Sequence, residues 1–263
     1  VNVQDVAAEA LGVDRASLAA PERLKNGLTN ESWLVRGVQD AVVVRLSNRE
    51  TDALQINRLS ESLVLHAVAN AAIGVPVLLC APERHVLVTR YVDGRKWTSR
   101  DIRTTANLQR IANALRALHA LPIPQGVQQL DLLDSIRGYW NTLIERGLAP
   151  RAGTPKERER AREYIASLAE DAQSCLCHND VHHLNVIDEG RLWLIDWEYA
   201  AIGDPYFDLA SVCCYHALSD ELRRALLRAY WGYYSNESFE RLQRTCWVFN
   251  YIRDLWFAVR EMK

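Results

Sequence analysis

The chain has 263 residues, a length suited to one bilobal unit or two modest domains. It is 49% hydrophobic and 24% charged, with a formal net charge of -2, which is a globular composition without a basic footprint for nucleic acid. No apolar run approaches the ~20 residues of a membrane span and no secretory signal opens the chain, so no membrane insertion and a cytoplasmic location are expected. Val1 is not a methionine, and the true start is expected upstream.

Val3, Val6, Ala7, Ala10 and Leu11 fall at helical spacing and predict a helix stopped by Gly12. From Leu24 the period shortens. Leu24 to Val35 and Ala41 to Leu46 read as strands, with a polar bend of Gly27, Thr29 and Asn30 that can turn backbone N–H groups toward a phosphate. Arg45 interrupts Val42, Val43, Val44 and Leu46, and a cation in such a run needs either water at a sheet edge or an anionic partner. A helix predicted over residues 54–72 carries Glu61, which can face Arg45. Val77 to Leu79 and Val86 to Tyr91, divided by Pro82 to His85, complete a five-stranded antiparallel sheet with one helix. Val92-Asp93-Gly94 reads as a connector, so the expected division is an N-terminal lobe at 1–92 and a mainly helical lobe at 93–263. Helices are predicted from Thr104 to the prolines Pro122 and Pro124, then over 130–148, 154–170, 207–217, 219–234 and 237–260. The fold class that follows is α+β and bilobal.

Six cysteines occur without any C-x-x-C spacing. Their apolar neighbours predict buried reduced thiols, with a Cys-x-Cys metal site at Cys175 and Cys177 as the sharper alternative.

The stretch from Cys177 to Leu209 concentrates the chemistry. Val186-Ile187 and Leu192 to Ile195 read as two short strands around the turn Asp188-Glu189-Gly190. A hairpin brings its outer ends together, so Asp180, Asn185 and Asp196 are expected to meet, a set suited to Mg²⁺ and to accepting a proton. Two chemistries compete. His178, Asp180, His182 and His183 within six residues suit a zinc or di-metal hydrolase. In the other, Asp180 accepts a hydroxyl proton while Asn185 and Asp196 hold Mg²⁺ on nucleotide phosphates; D-x-x-x-x-N followed by a hairpin and Asp is the spacing of protein kinases. The second is favoured, because a hydrolase has no need of a β lobe with a Gly/Thr/Asn bend, a strand cation and a helix carboxylate.

These motifs resemble the aminoglycoside phosphotransferase/choline kinase family, small-molecule relatives of protein kinases. His178 to Asn185 resembles its H-x-D-x-x-x-x-N loop, and Ile195-Asp196-Trp197-Glu198-Tyr199-Ala200 its I-D-[WFY]-E-Y-A signature. Gly203-Asp204-Pro205 with Asp208-Leu209-Ala210 matches its G-D-P-x-x-D-L-A continuation, and Gly27 to Asn30 its nucleotide loop. The likeness spans roughly residues 22–260. It implies a protein-kinase-like fold, ATP as co-substrate, Asp180 as catalytic base and Asn185 and Asp196 as Mg²⁺ ligands. It further implies Arg45 in place of a strand lysine, paired with Glu61. Backbone at Arg90, Tyr91 and Val92 would meet adenine, and Asp208 would brace the catalytic loop. Leu184 stands where the family usually has Gly, so the loop must do without that freedom.

For the acceptor, Glu198 resembles the acid frequent in choline, ethanolamine and thiamine kinases. Trp247 and Tyr251, at i and i+4, and Trp256 supply aromatic faces for a quaternary ammonium. Choline ranks first, then thiamine, then an aminoglycoside. A non-catalytic nucleotide-binding module is the reading from another class.

Overall fold

The structure, a computed structural model, describes residues 2–24, 30–47, 52–148 and 153–261. Gly27 and Thr29, the expected phosphate-binding bend, lie outside them.

The N-terminal lobe opens with α1 (Val3–Leu11), whose first turn is capped by the Asn2 side chain and whose end is turned by Gly12 at φ 66°. Five strands follow: β1 (Glu22–Leu24), β2 (Asn30–Arg36), β3 (Ala41–Ser47), β4 (Val77–Ala81) and β5 (Val86–Arg90). They form the five-stranded antiparallel sheet that the sequence predicts, in the order β1-β2-β3-β5-β4. Strand alternation explains Arg45. Val42 and Val44 turn to the α1 side and pack with Val6, Ala7, Leu18, Val35, Val86 and Val88. Val43, Arg45, Leu87 and Thr89 point to the other face, which borders a cleft. The β3 run is thus buried in a core on one side only.

Between β3 and β4 runs α2 (Arg58–Asn70), shorter than expected at its start. Leu54 belongs to a separate 3₁₀ turn, Asp52–Leu54, and Gln55 adopts φ 58°. Asn57 then starts the helix by accepting from the Leu59 and Ser60 N–H groups at 3.1 and 3.0 Å.

The second lobe contains β6 (Arg95–Lys96), α3 (Ser99–Ile102), α4 (Thr105–His119), α5 (Leu132–Glu145), α6 (Pro155–Ala169), β7 (Cys175–Cys177), β8 (Val186–Asp188), β9 (Leu192–Leu194), β10 (Ala201–Gly203), α7 (Pro205–Tyr215), α8 (Asp220–Trp231) and α9 (Asn236–Arg260). The β8–β9 hairpin forms as predicted, and β6 adds to its edge. β7 pairs with β10. β6, β7 and β10 are two or three residues long and, unlike β8 and β9, have no hairpin turn beside them, so the sequence gives too little alternation to expect them. The main core joins Leu108, Ile111, Leu115 and Leu118 of α4 to Leu209 and Val212 of α7, Leu226 of α8 and Phe249 of α9.

Val64, Leu65 and Val68 of α2 belong to that same core, so helix packing couples the lobes. Gly74, after α2, bridges to Leu194. A Cβ there would stand 2.5 Å from Val68 Cγ2 and 3.2 Å from Trp197 Nε1, so this close approach requires glycine. Among the described residues, no helix is long and apolar enough to cross a membrane.

Candidate active site

A cleft of about 850 Å³ runs between the sheet and the helical lobe. Its walls include Asn30, Arg45 and Thr89 from the sheet and Asp180, Asn185 and Asp196 from the second lobe.

The loop from His178 to Asn185 is held from beneath by α7. Asp208, fully buried, accepts from the His178 N–H at 2.9 Å through Oδ2 and from the Asn179 N–H at 2.6 Å through Oδ1. His119 meets Oδ2 through Nε2 at 2.9 Å. One turn on, Ser211 Oγ accepts from the Val181 N–H at 2.8 Å and donates to the Val181 carbonyl at 3.2 Å. Asp208 and Ser211, at i and i+3, thus fix three loop amides from one helix face. His178 ties the loop to the end of the hairpin through Nε2 and the Ile195 carbonyl, 3.0 Å apart. The Ile195 N–H donates to the Asn185 carbonyl at 3.0 Å.

This framework brings Asp180, Asn185 and Asp196 to one place, as the hairpin argument expects. Tyr215 donates to Asp180 Oδ1 at 2.7 Å, Asn185 Nδ2 donates to Oδ2 at 3.2 Å, and His182 Nε2 lies 3.4 Å from Oδ2. Burial pushes the Asp180 carboxyl up, but hydrogen bonds from His182 and Tyr215 and nearby histidine charge outweigh it and hold the group below its ordinary value. Asn185 also gives Nδ2 to the Asp180 carbonyl at 3.0 Å, so its hydrogen bonds to Asp180 leave Oδ1 unused. Asp196 adopts φ 67°, a strained conformation for a residue with a side chain. Desolvation, then the charge of Glu198, pushes its carboxyl well up, with Arg45 opposing at 3.9 Å.

Arg45 and Glu61 form a bidentate pair at 2.6 and 2.8 Å. Burial would raise Glu61, yet Arg45 and Arg58 hold it low. Arg58, which the sequence reading passed over, is the hub of this network. It reaches Glu61 at 2.8 Å, Asn30 Oδ1 at 2.9 Å and Glu198 at 3.2 Å. Asn30 Nδ2 donates to Glu198 at 2.8 Å. The available signal was the i, i+3 placement of Arg58 and Glu61 on α2. Glu198 borders the cleft but is only 5% exposed, and its carboxylate is met by Arg58 and Asn30. It links the lobes rather than standing open for a substrate cation, a correction to the role expected for it.

Arg90, Tyr91 and Val92 border the cleft. The N–H groups of Arg90 and Tyr91 are given to the Pro76 and Ala41 carbonyls at 2.9 and 2.8 Å, which leaves Val92 as the amide donor of the three. Leu184 lies in a single 3₁₀ turn with no positive φ, 43% exposed, its N–H capped by His182 Nδ1 at 3.2 Å. Glycine is therefore not needed there.

The aromatic expectation divides. Trp256 borders the cleft and its Nε1 donates to the Tyr199 hydroxyl at 2.6 Å. Trp247 and Tyr251 stack on each other at 5.5 Å but pack with Tyr164 and the α5–α6 side, outside the cleft lining. The cleft face of α9 carries Phe249, Ile252, Arg253, Trp256 and Phe257, and two residues along a helix turn a side chain ~200° away. Tyr199 and Tyr215 complete this wall.

The histidines diverge. His178 is buried and engaged by the Ile195 carbonyl and the Asp180 N–H, whereas His183 turns to His216 at 3.2 Å. They do not close into a hydrolase metal centre.

The sequence model of the Phosphotransferase enzyme family matches residues 21–243. The chain belongs to this family. Among curated proteins, Protein LicA of Haemophilus influenzae is 26% identical over 246 residues, covering 89% of this chain and 72% of that protein. Among solved structures, choline kinase LicA from Streptococcus pneumoniae superposes with a TM-score of 0.77 at 22% identity, covering 98% of this chain and 96% of that one. A LicA structure in complex with AMP gives a TM-score of 0.76 at 24% identity, over 93% of this chain and 84% of that one. The match to these phosphotransferase relatives fixes the bilobal α+β architecture.

Proposed function

We propose that this phosphotransferase moves the γ-phosphate of ATP to the hydroxyl of a small cationic alcohol, with choline first. The observation that carries the reading is the meeting of Asp180, Asn185 and Asp196 opposite the Arg45–Glu61 pair in one cleft. Asp180, oriented by Tyr215, accepts the proton of the incoming hydroxyl. Arg45 steadies the phosphates; its Nε is buried without a partner among the described residues, a place for an anionic oxygen. Val92 offers its N–H to the base. Asn185 and Asp196 would hold Mg²⁺, and the donor chemistry fits: an amide oxygen and a carboxylate whose crowding by other acids a cation relieves. When bound, the ion neutralises phosphate charge. The protein's contribution is then positioning and electrostatics. In this reading residues 1–92 form the nucleotide lobe and 93–263 carry the acceptor, and a cytoplasmic location fits the use of ATP.

Choline is supported by the aromatic wall of Tyr199, Tyr215, Phe249, Trp256 and Phe257 beside Asp180, which suits a quaternary ammonium, and by the LicA relatives. One observation favours thiamine as a second reading. Arg253 borders the same wall, 5.8 Å from the Tyr215 ring, with the exposed Asp254 as its ion partner at 3.8 Å. A compact trimethylammonium beside this guanidinium is repelled, whereas a cation spread over a flat ring stacks on the wall with less cost. Radiolabelled ATP offered with choline, ethanolamine, thiamine and an aminoglycoside tests both. Transfer is expected to choline or thiamine. Transfer confined to the aminoglycoside would overturn the cationic-alcohol reading, and tight ATP binding with no transfer to any acceptor would point to a binding module.

A further inference from the structure

β7 carries two cysteines one residue apart, and strand alternation puts both on one face. Both are buried, with their Sγ atoms 3.5 Å apart. A ring nitrogen of His119, the last residue of α4, joins them, all three ligand atoms lying within 4.8 Å of one another. Phosphoryl transfer uses neither thiol. We propose that Cys175, Cys177 and His119 form a site for one thiophilic divalent cation of the zinc class, separate from the ATP cleft.

Three features support it. Tetrahedral zinc with ~2.3 Å bonds to sulfur sets its two thiolates about 3.8 Å apart. The Cys175 and Cys177 sulfurs are already near that separation. Next, the Asp208 carboxylate accepts two backbone N–H groups and faces His119 Nε2, so Nε2 carries the ring proton. His119 Nδ1 then has the lone pair, now accepting from the Tyr230 hydroxyl at 2.6 Å. A carboxylate behind the imidazole is the arrangement that orients a metal-binding histidine. Third, a separate cavity of about 310 Å³ opens onto His119, Cys175 and Tyr230, giving an entry path and room for a fourth ligand. Arg116, also on its wall, is engaged by the carbonyls of Ala229 and Tyr230 and by Asn113. Two thiolates and an imidazole select a soft or borderline ion over Mg²⁺. Thiolate ligation releases the thiol protons, so the ion is expected to bind more tightly as pH rises.

The test uses the full chain, stripped of metal by a chelator and kept in a non-thiol reductant, titrated with Cd²⁺. Expected is a thiolate-to-metal charge-transfer absorption that saturates at one ion per chain, lost in Cys175→Ser and in Cys177→Ala. Cadmium held by Asp180, Asn185 and Asp196 has only oxygen donors and gives no such band. Absence of the band at stoichiometric Cd²⁺ would overturn the proposal. So would a band unchanged in Cys175→Ser, which would place the thiolates among the other cysteines, Cys80, Cys213, Cys214 and Cys246. Urea unfolding without cadmium confirms that each variant is folded. Should Cys177→Ala fail to fold, Cys175→Ser, at the cavity wall, decides alone.

Discussion

Asp180 is a carboxylate with its lone pairs arranged for it. Tyr215 takes one oxygen and Asn185 the other, so the group is held in one orientation before an acceptor arrives. A positioned base contributes about 10²–10⁴ in rate, and in the proposed reading nucleotide contacts fall to other residues. Asp180→Ala is therefore expected to lower kcat at least ~10²-fold while leaving the Kd for ATP within about threefold, by radiolabelled turnover and calorimetry. Near-normal turnover would remove Asp180 from the reaction. That Asp180 would meet Asn185 and Asp196 was legible because D-x-x-x-x-N and the following hairpin are local. Its partner Tyr215 was not. It lies 35 residues on, among other aromatics of the helical lobe, and nothing in its spacing sets it apart.

At the scale of elements, helices and the longer strands follow the apolar periods, and their ends follow caps such as Asn57. The α2 start was misread because Leu54 and Ile56 extend the apolar pattern backward, while Gln55 breaks the backbone between them. Which face of α9 meets the cleft was equally hidden. Its residues are buried almost all round, so the i, i+4 pair Trp247 and Tyr251 and the pair Phe249 and Arg253 look alike in sequence. The structure separates them and predicts opposite consequences. Trp256→Leu is expected to raise the acceptor KM about tenfold with little change in stability, since it removes part of the aromatic wall. Trp247→Ala is expected to cost roughly 3 kcal/mol in urea unfolding, through lost packing against Tyr164 and Tyr251, and to leave the acceptor KM unchanged. A raised KM in Trp247→Ala alone would return the acceptor to the other face of the helix.

The whole molecule is held closed by groups far apart in sequence. Asn30 and Glu198, joined through Arg58, are separated by 168 positions, and no local pattern announces that contact. The two lobes were legible from the change from strand to helix periods; their attachment was not. A second buried polar group of this kind ties overall stability to pH. His216 is fully buried beneath the His178–Asn185 loop, giving Nδ1 to the Val212 carbonyl at 2.8 Å and accepting from the His183 N–H at 3.3 Å through Nε2. Burial, with charge from His183, His182 and Arg103, lowers its pKa from 6.5 to about 4, against the pull of the Val212 hydrogen bond. The unfolded chain takes up this proton near pH 6.5, and the native state takes it only near 4. In that window the unfolded state binds more protons, so stability rises with pH. The contribution is complete above the unfolded value and is lost as pH falls toward the folded one, at most ~3 kcal/mol for this group. Measured by urea unfolding at about pH 7 and about pH 5, the wild-type chain is expected to lose more stability than His216→Gln, whose side chain does not titrate. Equal losses in the two proteins would assign the acid sensitivity to other groups.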